Sequence, residues 1–210
     1  MRGSGVRFPG SDSWQVSVKA EENHTVFPLW LRDVEAVDVP PSPLVPGPLD
    51  VNDLPPPAGE PHDPRLGAEW LAWWESIVLT HPTSPVPPDD DVEPAYDTPD
   101  PLGLARLPAL RPHVARRWPE FLEWQLAHRR AHGTYTDRRP PGDGRIGEVV
   151  REVEAELGRR AAPFHLTFTL LQVRDDRILT VEPGRFLVPE RVIRSAGWPD
   201  WLRAEVRKVA

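Results

Sequence analysis

Apolar positions change their spacing several times along the 210 residues, and each change marks a different kind of element. In SWQVSVKA, residues 13–20, Trp14, Val16, Val18 and Ala20 alternate with polar partners. Alternation sends successive side chains to opposite faces of a pleated strand, so this segment predicts a half-buried strand. Glu21–His24 then predicts a turn, and Thr25–Leu31 a returning second strand that Pro28 confines to a sheet edge. Between Asp63 and Thr80 the period becomes helical. Leu66, Trp70, Trp73, Trp74 and Ile77 share one face, with Leu71 and Val78 at its margins. Asp63 followed by Pro64 supplies an N-cap and a first-turn proline, and Pro82 blocks continuation.

The second half is denser in regular signals. HVARRWPEFLEWQLAHRRAHG, from His113, predicts helix that Pro119 either kinks or restarts and Gly133 ends. After the break RRPPGDG, Ile146, Val149, Val150, Val153 and Leu157 recur at helical spacing until Gly158. Phe164, Leu166, Phe168 and Leu170 alternate with His165, Thr167 and Thr169, which predicts a strand. Arg174–Arg177 turns it into ILTV at 178–181, and Pro183-Gly184 turns that into RFLV at 185–188. Pro199 opens a last helix with Trp198, Trp201, Leu202 and Val206 on its apolar side. The pattern is that of an α+β fold: three to four helices packed on a small antiparallel sheet, with long proline-rich irregular segments.

Two stretches have no period. Residues 39–62 contain nine prolines, which rules out helix and interior strand. Leu44, Val45, Leu49, Val51 and Leu54 favour an arm lying on a surface over a free linker, which needs no apolar residues. Residues 82–112, including PPDDDVEP, predict a long acidic loop. The expected organisation is N-terminal strands over 1–38, the arm or linker over 39–62, and the tryptophan helix over 63–81. The acidic loop over 82–112 follows, then an α+β region over 113–210, all within one composite domain.

Composition narrows the chemistry. No cysteine is present, which excludes disulfides and thiolate sites. Apolar runs fall far short of the roughly 20 residues of a membrane span, and MRGSGVRFPGSDSW lacks the apolar core of a secretory signal. A cytoplasmic location is therefore expected, and MRGSG is read as a cloning remnant without structural weight. Arginine outnumbers lysine 23 to 2, the footprint of a GC-rich bacterial genome. The net charge of −7 is uneven: residues 1–110 carry −12 (6 basic, 18 acidic) and residues 111–210 carry +5 (19 basic, 14 acidic).

Each candidate site competes with a plainer role. The Trp70, Trp73, Trp74 and Ile77 stripe carries few interleaved polar groups, so it suits packing or a partner interface better than a ligand platform. Truncating Trp73 or Trp74 is expected to cost about 3–5 kcal/mol. His128 and His132 stand four apart and can reach one metal ion from one helix face, but no third ligand is apparent and Arg129 occupies the zincin glutamate position. Histidines and arginines in a last helical turn also meet the helix dipole favourably. Asp89, Asp90, Asp91 and Glu93 lack the spacing of a calcium loop. Arg116, Arg117, Arg129 and Arg130 offer phosphate contacts, interrupted by Glu120, Glu123 and Asp137. No phosphate loop, dinucleotide fingerprint or nucleophile elbow occurs, so no cofactor is expected. These features favour a non-enzymatic protein that binds another protein, as an adaptor, an immunity-type inhibitor or a component of an assembly; self-association is compatible with it. One alternative is an enzyme using Glu120, Glu123, His128, His132 and Asp137. The other is a nucleic-acid-associated protein using the arginines of 111–139.

Overall fold

The computed structural model of the chain describes residues 4–9, 14–20, 23–57, 63–79, 103–133 and 145–210. The chain divides into two compact units, one running Glu22–His132 and the other joining Arg2–Glu21 to Gly133–Ala210.

The first unit packs helix α1 (Asn23–Glu35) against α2 (Leu66–Leu79) and α3 (Leu110–His132), with a 3-10 turn at Gly103–Arg106. The strand expected over Thr25–Leu31 is instead the middle of α1. Phe27, Leu29, Trp30, Leu31 and Val34 are all buried, so the helix is covered nearly all round. A helix buried on every side shows no apolar stripe, and its short apolar run reads like a strand. Pro28 sits inside α1, and its carbonyl accepts the Trp70 indole N–H at 2.8 Å.

α2 begins two residues after its expected first-turn proline. The Asp63 carboxylate still caps it by accepting the Arg65 backbone N–H at 2.9 Å. Leu66, Trp70, Trp74 and Val78 form its buried face, while Trp73 and Ile77 are half-buried. Trp70 and Trp74 stack with ring centroids 5.9 Å apart. α3 passes through Pro119 as one helix of 23 residues and ends at Gly133, whose φ of 71° is the left-handed conformation expected past a helix C-terminus. Its N-terminus is capped from outside: a Glu69 carboxylate oxygen on α2 accepts the backbone N–H groups of Ala109 and Leu110 at 2.8 and 2.9 Å. Of the loop expected over 82–112, residues 82–102, with the Asp89–Glu93 acidic run, lie outside the described residues.

The second unit is a five-stranded sheet with helices. Its strands are β1 (Ser4–Pro9), β2 (Trp14–Ala20), β3 (Phe164–Leu171), β4 (Leu179–Glu182) and β5 (Arg185–Pro189). Their order is β1-β2-β3-β5-β4. β1 includes part of the segment read as a cloning remnant and pairs antiparallel with β2. The alternation in β2 and β3 buries Val16, Val18, Ala20, Leu166, Phe168 and Leu170 as the sequence implies.

The sheet is mixed, not antiparallel: β3 pairs in parallel with both β2 and β5, and β4 pairs only with β5. The expected β3–β4 hairpin is therefore absent, because β5 lies between those strands. β5 is buried at four successive positions, Phe186 to Pro189, the unbroken pattern of an interior strand. β4, half-exposed and irregular between Thr180 and Glu182, takes the edge. Gly184 makes the β4–β5 turn at φ 83°, where a Cβ would meet the His165 carbonyl at 2.8 Å.

Helix α4 (Arg145–Leu157) packs on α6 (Trp198–Val209), and a short helix α5 (Glu190–Ile193) follows β5. Ile146, Val149, Val150 and Val153 join Trp198, Leu202 and Val206 in one core with the sheet. Leu157, the last residue of the expected α4 stripe, is exposed.

Candidate functional site

Proline supplies a carbonyl but no N–H, so a proline-rich arm can be held mainly through its acceptors. The described part of the arm, residues 39–57, is held in that way by its own unit. Trp74 donates its indole N–H to the Leu44 carbonyl at 2.7 Å, and Trp124 donates to the Asp53 carbonyl at 3.1 Å. Arg32 donates to the Pro46 and Gly47 carbonyls at 2.7 and 2.9 Å while its guanidinium lies over the Trp70 ring. The Leu49 N–H donates in turn to Asp33 Oδ2 at 2.7 Å, and Leu49 and Val51 are buried. Gly67 permits the close approach of α2, since a Cβ there would lie 1.9 Å from the Asp38 carbonyl oxygen.

At Asp53 the arm meets an aromatic ladder along α3. Trp118 meets Phe121, Phe121 meets Trp124, and Trp124 stacks on His128 at 5.0 Å. His132 closes the ladder, its ring 4.6 Å from that of His128. Spacings of three and four residues put these rings on one side of a helix, which is why the row forms. Asp53 of the arm reaches the same end, with Oδ2 2.8 Å from His128 Nδ1. Burial alone would raise the Asp53 carboxyl, but the hydrogen bond and charge of His128 outweigh it and hold the group below its usual value of 3.8. His128 is buried, and its Nε2 has no hydrogen-bond partner among the described residues. Asp53, His128 and His132 each offer one donor atom within 4.8 Å of the others. Asp53 is the third donor of this grouping, which the sequence did not reveal.

A second polar cluster joins α1 to α3. The Glu35 side chain is fully buried, and its carboxylate accepts from Arg116 Nη2 at 3.1 Å, lies 2.8 Å from His113 Nδ1, and pairs with Arg117 Nε. Burial pushes the Glu35 carboxyl up, but the hydrogen bonds and charges of Arg117 and His113 prevail and lower it from 4.5. Two of the arginines weighed for phosphate contact, Arg116 and Arg117, are thus turned onto Glu35, and Arg117 also pairs with Glu120. Arg129 is half-buried and Arg130 exposed on the last turns of α3.

The remaining candidates separate. Trp70 and Trp74, considered for partner contact, are wholly buried by their own chain, which leaves Trp73 and Ile77 half-exposed. Glu120 and Glu123 are exposed on α3 and do not join the His128–His132 grouping; Asp137 lies outside the described residues. Among the described residues no helix is long and apolar enough to cross a membrane. No protein-family model matches the chain, and no curated protein or solved structure matches it either.

Proposed function

We propose that the protein acts by binding another protein, and that the outer face of α3 is the contact surface. The observation that carries this reading is the pair Leu122 and Leu126, which are 41% and 45% exposed one helical turn apart. Trp118, a turn earlier on that helix, is half-buried. A single exposed leucine is ordinary, whereas a run of large apolar side chains along one helix face is the form a docking surface takes. The inner side of α3 already has its own aromatic core in Phe27, Trp30 and Phe121, so the outer leucines are surplus to folding. The described part of the arm is engaged by its own unit, which moves the expected partner contact from the arm to α3.

The reading is tested by affinity capture from native lysate with the intact protein and with the double variant Leu122→Glu, Leu126→Glu. A bound protein lost from the folded double variant is the expected result. An identical set of captured proteins, or none with either form, contradicts it. Nucleic-acid association is the weaker alternative, because Arg116 and Arg117 are engaged by carboxylates.

A further inference from the structure

The end of the arm and the last turns of α3 assemble metal-ligand chemistry that partner binding does not use. His128 and His132 stand four residues apart on one helix, so both imidazoles leave the same side, and their rings lie 4.6 Å apart. Asp53 arrives from the arm, 75 residues away in sequence, and its Oδ2 lies 2.8 Å from His128 Nδ1. One donor atom from each of the three residues lies within 4.8 Å of the other two. A tetrahedral ion with ligands at roughly 2.0–2.2 Å sets its donors about 3.3 Å apart, within the reach of small side-chain rotations at the two exposed members, Asp53 and His132.

A second observation is independent of this spacing. His128 keeps one nitrogen against the carboxylate while the other, Nε2, is buried without a hydrogen-bond partner among the described residues. Buried polar atoms in folded proteins are nearly always satisfied, so the described residues alone do not complete the bonding of this ring. The carboxylate lies against Nδ1, so Nδ1 is the His128 nitrogen that faces the grouping, and an ion there takes the place of the proton the two groups share. Arg129 and Arg130 place positive charge on the same last turns of α3.

We propose that Asp53, His128 and His132 bind one divalent transition-metal ion of the zinc class through two imidazole nitrogens and a carboxylate oxygen. Three protein donors leave a coordination position open for a further ligand. Because Asp53 belongs to the arm and both histidines to α3, the ion also fastens the arm to the helix.

The test uses the full chain stripped of metal with a chelator and titrated with Zn2+ by calorimetry, with Co2+ as an optical probe. One equivalent is expected to bind with a Kd of about micromolar or tighter, with visible Co2+ absorption of a low-symmetry site. His132→Ala and Asp53→Asn, both at exposed positions, are each expected to weaken binding at least tenfold, since losing a ligand costs no less than losing an orienting partner. Zn2+ is expected to raise the melting temperature of the intact protein and not that of His132→Ala. Absence of saturable binding at one equivalent overturns the proposal. So does equal binding by the intact protein and both variants, which would place the ion on other histidines.

Discussion

Trp74 is where the aromatic core and the proline-rich arm meet, and replacing it with alanine separates the two. The indole is fully buried, stacks on Trp70, and donates its N–H to the Leu44 carbonyl at 2.7 Å. Burial of roughly 200 Å² at about 25 cal/mol per Å² gives about 5 kcal/mol of transfer free energy. Partial collapse of the cavity brings observed losses for such truncations to about 3–5 kcal/mol. The lost hydrogen bond adds about 1 kcal/mol at most, since Leu44 is half-buried and its carbonyl can regain water. The expected total is about 4 kcal/mol, close to the lower end of the roughly 5–15 kcal/mol that stabilises a domain.

Two companion variants divide that figure. Trp74→Phe keeps most of the stacked ring and loses the N–H, for about 1–2 kcal/mol. Trp73→Ala removes a half-buried ring whose edge meets Phe27, for about 1–2 kcal/mol, less than the sequence alone implied. Urea unfolding followed by tryptophan fluorescence reports mainly this unit, which holds six of the nine tryptophans, Trp30, Trp70, Trp73, Trp74, Trp118 and Trp124. Thermolysin digestion of the native variants, with fragments assigned by mass, reports the arm. Trp74→Ala should lose the most stability and be cut faster within 39–57. A loss under about 1 kcal/mol with an unchanged cleavage pattern would refute the packing and the clamp together.

Gly67→Ala would ordinarily favour a helix by about 1 kcal/mol, but the added Cβ lies 1.9 Å from the Asp38 carbonyl oxygen. A net loss of at least about 2 kcal/mol is expected from thermal or urea melting, and a stabilised variant would contradict the arm's close approach. Glu35 has a folded-state pKa lowered from 4.5, so its contribution is fully present above that value and is lost as pH falls through the lower folded value. Glu35→Gln should cost about 2 kcal/mol at neutral pH, discounted from a fully buried pair because the Arg116 side chain is 48% exposed. Its stability should then fall less steeply than that of the intact protein below pH 4.5, and parallel acid curves would show that Glu35 carries no such term.

The parts of the fold legible in sequence were those with one face wet and one dry. Val16, Val18 and Ala20 in β2, Leu166, Phe168 and Leu170 in β3, and Val149, Val150 and Val153 in α4 each declare a period because only one side of the element is buried. α1 was illegible for the opposite reason, being buried nearly all round with a proline inside it. The neighbours of β5 were hidden because strand order is set by long-range packing, although its unbroken burial is the mark of an interior strand. At the candidate site the His128–His132 spacing was visible and Asp53 was not. A local period cannot say which acid of a non-periodic arm reaches a helix 75 residues on, since that depends on where Arg32, Trp74 and Trp124 catch the arm's carbonyls.

The most direct test of partner binding through α3 is site-specific photo-crosslinking in intact cells. A photoreactive phenylalanine derivative is placed at Leu122, and separately at Leu157, a comparably exposed leucine on α4 (41% and 42%). The expected result is a discrete protein adduct from position 122 that is absent from position 157. An adduct from 157 alone, or none from 122 in folded protein, would contradict the assignment of the α3 face as the binding surface.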